Sequence, residues 1–586
     1  MAHDIYTATA KGNRGDIKVS LEYSNGKIHS VTIDEQHESP GITDYALSEI
    51  PKMIVENQSY NIDTVTGATI TANAIKKAVK NALQDNDSNR ESFAKKVDLI
   101  RHDENDQQDY KYINESDVKW DQVVDVVIIG AGAAGLCAAI ESRKKGLSVD
   151  LVEYSPSYLH SNSTLCGGYY YAGGGTRLQK EQGIEDSNEE WRRYLDACGE
   201  GFEDSEMTDI FIEKSSDDFD WLIDEIGVNF PVDNTIMMGN ERTLAHITKP
   251  VARSYYTKEQ SGYGITMPLY RKAKELGTNF YFQTTGKKLI LDKNKRVIGL
   301  HTDKGNFKAN KGVIVASAGF SRNKEWIKSF KPEMVSGDSY GSVRQNGDGI
   351  RMGIDLGANI ANMWMAIADS VGTQTGENIW VGVWLYMWDQ PFLYVGTDAK
   401  RHFNEDMYYE HAAKELANLD GGYAWMIWDQ TAVDNGVENI TAPAPSPGLE
   451  REVEDGFFKK ANSLRNLAEQ IGVDPDTFEE TISEWNAMMK KDGIDTKYGR
   501  TVGNYPIENG PYYAAKVAPS TPDTAGGLCI NKKAQVLDVW GNVIDGLYAA
   551  GSTTAGWRGK TYPGCGMAIT NAVVFGRIAG QDIANN

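Results

Sequence analysis

Cysteine is scarce in this chain. Five stand in 586 residues, at Cys137, Cys166, Cys198, Cys529 and Cys565, odd in number and with no C-x-x-C spacing. That arrangement removes the ligands for a disulfide framework, a zinc ribbon, an iron–sulfur cluster or c-type haem attachment. The nine histidines show no H-E-x-x-H or other paired spacing, so no metal site is expected. Positive charge is also short: 60 basic residues face 82 acidic ones, for a formal charge of −22. Such a surface repels phosphate backbones and points to small-molecule chemistry, with no nucleic acid as partner. An uninterrupted apolar run is missing too. The most apolar window, VVDVVIIGAGAAGLCAAI (Val123 to Ile140), is broken by Asp125 and three glycines, and reads as strand, turn and helix instead of a membrane span. The opening MAHDIYTATAKGNRGDIKVS has no basic stretch followed by an apolar one, so no signal peptide is expected and the reading is a reduced, cytoplasmic protein.

What is present suggests several domains, since one hydrophobic core stops growing well below this length. IKVSLEYSNGKIHSVTI alternates as two strands around Asn25-Gly26, the dipeptide preferred by two-residue hairpins. TANAIKKAVKNAL (Thr71 to Leu83) places Ile75, Ala78, Val79, Ala82 and Leu83 on one helical face. From Gln84 to about Asp117 the chain is polar and aperiodic, which reads as a linker. A βαβ unit then runs from Val123 to Glu153, with further strands at Lys287 to Asp292, Arg296 to Asp303 and Gly312 to Gly319. The aromatic-rich Asn378 to Val395 and helical patterns up to about Met489 resemble an inserted layer. Strand and turn signals return at DVWGNVIDGLYAAG, ahead of a closing helix, NAVVFGRIAGQDIA.

The sharpest motif is Gly130-x-Gly132-x-x-Gly135, which follows a strand and opens a helix. Glu153 ends the next strand, eighteen residues beyond Gly135. Glycines there let a backbone approach a pyrophosphate, the helix N-terminus stabilises its charge, and the carboxylate accepts from ribose hydroxyls. A dinucleotide site follows.

VVIIGAGAAGLCAAI, STLCGGYYYAGGGT, VIVASAGF, NGDGIRMGIDLGA, NEDMYY and GLYAAG…FGRIAG, in that order, resemble the flavoprotein family that includes fumarate reductases, urocanate reductase and 3-oxosteroid dehydrogenases. The similarity covers about residues 121 to 586. It implies a multidomain α/β and α+β protein: a Rossmann-like FAD-binding domain in two segments, 121–365 and 523–586, with a mobile capping domain inserted at 366–522. FAD would be held without a covalent bond by Gly130, Gly132, Ala133, Ala134, Gly135, Glu153, Gly167, Gly168, Gly319, Asp348, Gly551, Ala568 and Ile569. Substrate would bind between FAD and cap, where closure excludes water.

Members that reduce fumarate grip two carboxylates with arginines and histidines, because desolvated anions need cationic partners. At the four matching stretches this chain has Tyr409 in NEDMYY, Asp523 in DTAGG, no H-P-T within MWMAIADSVG, and TYPGCG in place of N-R-x-G-G. The expectation is that all four cationic anchors are absent and that fumarate and urocanate are poor substrates. The replacements resemble the 3-oxosteroid dehydrogenase branch. That resemblance assigns Tyr562 and Gly566 to the substrate ketone and Tyr409 to the proton on the neighbouring carbon. A second, assisting tyrosine is left open among Tyr408 and Tyr169 to Tyr171.

The opening module carries Asp63-Thr-Val-Thr-Gly-Ala-Thr69. This resembles the D-x-x-[ST]-G-A-[ST] motif of FMN-binding domains, which implies such a domain at 1–86, a linker at 87–120, and FMN esterified to Thr69 by a flavin transferase. The expected activity is reduction of a C=C bond conjugated to a ketone, best matched by a 3-oxosteroid. Electrons would pass through FMN from a separate NAD(P)H-linked or flavodoxin-type donor. The alternatives are the reverse dehydrogenase, a reductase of another unsaturated carbonyl such as a hydroxycinnamate, or a diflavin electron carrier.

Overall fold

In the computed structural model of the chain the described residues are 4–12, 14–38, 43–62, 69–84, 90–95, 111–335, 339, 341–342, 344–375, 379–382, 392–435, 449–454, 456, 458–555 and 558–585. They form two compact units that divide near residue 108.

The first unit is a three-stranded antiparallel sheet, Asp4–Lys11, Asp16–Ser24 and Lys27–Glu35. Asn25 and Gly26 take left-handed φ values of 52° and 71°, which match the twist of the hairpin they close. Ile17, Val19, Leu21 and Tyr23 alternate inward, and the helix Thr69–Gln84 packs Ile75, Ala78, Val79 and Leu83 into the same core. The expected amphipathic helix is therefore present, two residues longer at its start. The stretch 63–68 of the FMN motif lies outside the described residues. Part of the expected linker has a structural role. Arg90–Ala94 makes a 3₁₀ turn, and Phe93 is buried in this core while its carbonyl accepts from the Tyr60 N–H at 3.1 Å. One aromatic in a polar stretch carries no periodicity by which to find it.

The second unit is built on a nine-stranded sheet. At its centre Gln122–Ile129 lies parallel to both Val149–Val152 and Gly305–Val315, and Val543–Ala549 lies parallel to the far end of Gly305–Val315. Burial on both faces explains the unbroken VVII and VIV runs. The helix Ala133–Lys144 joins the first two strands, and the closing helix Met567–Asn585 packs along it. Gly576 and Gly580 make that approach possible: a Cβ on either would lie 2.5 and 2.4 Å from the carbonyl oxygens of Ala134 and Ala138.

An antiparallel pair, Ala366–Thr375 and Tyr512–Thr524, carries the chain into and out of a second, six-stranded sheet. Alternation sends Phe392, Tyr394, Met426, Trp428 and Tyr513 to one face, and Leu393, Val395, Ile427 and Ala514 to the other. The helix Tyr409–Asn418 starts at the seam. Tyr408 and Tyr409 belong to the large core, whereas Ala412 and Leu416 pack on the second sheet.

Candidate active site

The turn after Gln122–Ile129 is shaped by what its glycines exclude. Gly130 has φ +106°, and a Cβ there would lie 2.3 Å from the Ala316 carbonyl oxygen; one on Gly135 would lie 2.0 Å from the Gly130 oxygen. Ala133 N–H donates to Ser163 Oγ at 3.0 Å. Glu153 accepts from the N–H groups of Ala131 at 2.8 Å and Ser155 at 2.7 Å, and burial raises its pKa. Gly168 (φ +73°) passes so close to Ser261 that a Cβ would clash at 2.3 Å, with Gly167 just before it. Gly319 faces Thr524 Oγ1, where a Cβ would lie 2.1 Å away, and Asp348 opens the helix Asp348–Asp355. Gly551 (φ +71°) lies against Ala134. The chain's two distant segments thus meet at one helix N-terminus.

The TYPGCG stretch leads into the closing helix and is held almost atom by atom. The Tyr562 N–H donates to Glu410 at 2.8 Å, and its carbonyl accepts from the Tyr408 hydroxyl at 2.5 Å. The Pro563 carbonyl accepts from Tyr194 O–H at 2.6 Å and Asn240 N–H at 3.1 Å. Cys565 N–H donates to the Met238 carbonyl at 2.9 Å, and Ser254 Oγ donates to the Cys565 carbonyl at 3.0 Å. Gly566 has φ +106° and its carbonyl accepts from Thr570 N–H, but its own N–H has no acceptor among the described residues. The Tyr562 hydroxyl accepts from the Ala568 N–H at 3.0 Å, which leaves its proton to donate, and burial drives its pKa well up. Tyr409 reaches the same place: Cys565 Sγ lies 3.9 Å from its hydroxyl, and its ring packs against that of Tyr408 at a tilt of 48°, with centroids 4.3 Å apart. Ile569 is buried in the helix's first turn beside Ala568.

Three of the four candidates for an assisting tyrosine spend their hydroxyls on the protein. Tyr408 bonds Tyr562, Tyr170 donates to the Ser215 carbonyl at 2.9 Å, and Tyr171 donates to Glu241 at 2.7 Å. These bonds hold the frame around TYPGCG.

Residues 125–569 match the family described as FAD binding domain, and residues 12–84 match the FMN-binding domain. The chain belongs to the FAD-binding family. NADH:acrylate oxidoreductase of Vibrio harveyi is 27% identical over 99% of this chain and 61% of its own length, so the chain spans about three fifths of that relative. Urocanate reductase of Eggerthella lenta is 29% identical over 99% of this chain and 92% of its own. For 3-oxosteroid 1-dehydrogenase of Mycolicibacterium smegmatis the figures are 25%, 79% and 97%. The open conformation of a flavocytochrome c3 fumarate reductase superposes with a TM-score of 0.68, at 28% identity, over 80% of this chain and 79% of the other. The chain thus stands among FAD-dependent oxidoreductases that act on CH–CH groups, with an FMN-binding domain at its N-terminal side.

The residues of the FAD-binding domain fit that cofactor. Its glycine turn has no room for side chains, and the hydroxyls of Ser317, against Gly130, and Ser261, against Gly168, are buried without a partner among the described residues. No helix among the described residues is long and apolar enough to cross a membrane, and no cluster of metal-ligating side chains is found among them.

Three site residues escape the sequence reading. Glu410 follows Tyr409 and was hidden by its ordinary helical setting. Asp523, read as the loss of a cation, is buried with its pKa raised to about 6 by desolvation; it accepts from the Ser552 hydroxyl and the Thr524 N–H. Arg558 is a cation outside the four matched positions. None stands at the four matched positions, yet this arginine, four residues before Tyr562, is 4% exposed and electrostatically coupled to Asp523 and Tyr562. The signal was GWRGK, immediately ahead of TYPGCG.

Proposed function

We propose that this chain reduces a C=C bond conjugated to a carbonyl group. The observation that carries the reading is the convergence at the start of the closing helix. The polarised Tyr562 hydroxyl, the Gly566 N–H, unengaged among the described residues, and the Tyr409 side chain meet there, within the domain that fits FAD.

FAD, held by the Gly130–Gly135 turn of that domain, would supply a hydride to the carbon β to the carbonyl. Charge then builds on the carbonyl oxygen, where Tyr562 O–H and Gly566 N–H act as preformed donors worth about 3 to 4 kcal/mol each. Tyr409 gives its proton to the α-carbon. Reduction suits tyrosine better than oxidation: it is already protonated at neutral pH, whereas a base would work against a reference pKa of about 10. Between them, Tyr408 and Glu410 fix the Tyr562 backbone from the helix that carries Tyr409, so donor and acid keep one spacing.

A ring ketone of the 3-oxosteroid kind and an unsaturated acid are the two substrate types this arrangement addresses. Tyr562 and Gly566 serve either, and the choice turns on Arg558. FMN joined to Thr69, the first residue of a sixteen-residue helix, would relay electrons from an NAD(P)H-linked or flavodoxin-type donor in an anaerobic cytoplasm. Intact mass tests the attachment. A flavin phosphate adduct made in a host with the transferase should vanish in Thr69→Ala, and an adduct that persists places FMN elsewhere.

Anaerobic mixing of the reduced protein with a panel of enones and enoates tests the activity. Flavin reoxidation by at least one class is expected, and Tyr409→Phe should lower its rate by about 10² to 10⁴. Wild-type turnover in both Tyr409→Phe and Tyr562→Phe would overturn these roles; electron flow from FMN to FAD with no turnover of any unsaturated compound would favour a diflavin carrier.

A further inference from the structure

Four arginines are buried among the described residues, and three of them have hydrogen-bond acceptors. Arg253 forms a two-pronged pair with Asp186, at 2.9 and 2.7 Å. Arg401 bonds Glu405 and Asp495, and Arg500 bonds the carbonyls of Val502 and Phe392. Arg558 is the exception: Nε, Nη1 and Nη2 are all buried and none has a partner among the described residues. Asp523 offsets its charge through space but takes none of its hydrogen bonds; the Asp523 oxygens accept from Ser552 and Thr524 instead. A guanidinium removed from water with five N–H donors unmet is costly, by several kcal/mol, until an acceptor completes it.

The acceptor that fits is planar, two-pronged and anionic. Arg558 precedes Tyr562 by four residues and acts on it electrostatically, which puts this acceptor toward the carbonyl end of the substrate. The carbonyl chemistry gives a second reason. Adding hydride to the β-carbon of an unsaturated acid pushes further negative charge onto a group already anionic, which needs a cation. A neutral enone needs only the two dipolar donors already present.

Resting on the C=C reduction reading, we infer that Arg558 receives the conjugated carboxylate of the substrate beside Tyr562, so that the compound reduced is an α,β-unsaturated acid and not a neutral enone. Arg558 then sets specificity, and the steroid expectation gives way to the acid branch of the same chemistry.

The test uses the FAD-loaded, FMN-bearing protein, reduced anaerobically and mixed with (E)-cinnamate, methyl (E)-cinnamate or 4-androstene-3,17-dione. The acid should reoxidise the flavin at least about 100-fold faster than its ester. Arg558→Gln, with wild-type FAD content and melting temperature, should lose about that factor on the acid and little on the ester. Arg558→Lys should recover part of the acid rate. An ester or steroid reduced as fast as the acid by the wild type, or an equal loss on acid and ester in Arg558→Gln, overturns the role of Arg558 and leaves C=C reduction standing. Loss of FAD from both variants also overturns it, by assigning the guanidinium to the cofactor. Should no compound reoxidise the flavin, the reduction reading fails on this panel and binding decides for Arg558. Saturated 3-phenylpropanoate should perturb the flavin spectrum of the wild type and not of Arg558→Gln, and an identical response in the two, or none in the wild type, refutes the inference.

Discussion

The Ala568 N–H donates to the Tyr562 hydroxyl at 3.0 Å. An N–H from the first turn of a nineteen-residue helix therefore polarises the phenol, because the first-turn N–H groups have no intrahelical acceptor and carry the positive end of the dipole. The phenol becomes a stronger donor without being ionised. Removing only the oxygen, by Tyr562→Phe, should lower kcat about 10²- to 10³-fold with KM little changed. The ring stays in the core, so FAD content and melting temperature should hold. Single-turnover reoxidation and a thermal melt measure the two separately.

Glu410 acts on the reaction through Tyr562, whose N–H it accepts at 2.8 Å from a fully buried position. Glu410→Ala strands a buried N–H, at about 1 to 3 kcal/mol. A lower melting temperature and a kcat reduced with KM nearly constant should appear together. Glu410→Gln keeps an acceptor oxygen and should restore most of both. Equal damage from Ala and Gln would mean that the charge, not the hydrogen bond, is what counts.

Gly130 occupies φ +106° with the Ala316 carbonyl oxygen 2.3 Å from where a Cβ would stand. Gly130→Ala must move backbone at the turn that fits the pyrophosphate. The purified protein should carry far less FAD, read as the ratio of flavin to protein absorbance. FMN in the separate N-terminal unit should be unchanged, which serves as the internal control.

Asp523 provides a pH signature. Burial raises its pKa from 3.8 in the open chain to about 6 in the fold. Between those values the folded protein keeps a proton that the unfolded chain releases, so stability from this group is greatest below about pH 4 and falls as pH rises to 6. The loss is on the order of 3 kcal/mol. Melting curves from pH 4 to 6.5 should show that slope in the wild type and a flatter one in Asp523→Asn. A slope unchanged by the substitution would assign it to other groups.

Much of the frame was legible because it rests on local rules. Asn25-Gly26 had to turn with both residues left-handed. The Ile75 to Leu83 face had to be buried, and the strand, glycine turn and helix around Gly130 had to form one unit. The N-terminal sheet's first strand, Asp4–Lys11, and the Phe93 anchor were less visible, since neither alternation nor spacing marks them strongly. At the site, Tyr409, Tyr562 and Gly566 could be named from their motifs. Comparison position by position hid Arg558, because a cation displaced by four residues does not register as a replacement.

The sequence by itself determined the two flavin-binding units, the glycine turn and the residue types available for proton and carbonyl chemistry, all of which depend on neighbours along the chain. Only the tertiary structure decided which groups are left unengaged. Among the described residues, Tyr408, Tyr170 and Tyr171 are spent on protein acceptors, Gly566 N–H is not, and Arg558 is buried without the hydrogen-bond acceptors that the other three buried arginines have. Hydrogen-bond satisfaction is settled by contacts hundreds of residues apart, such as Tyr194 with Pro563, and burial sets what an unmet donor costs.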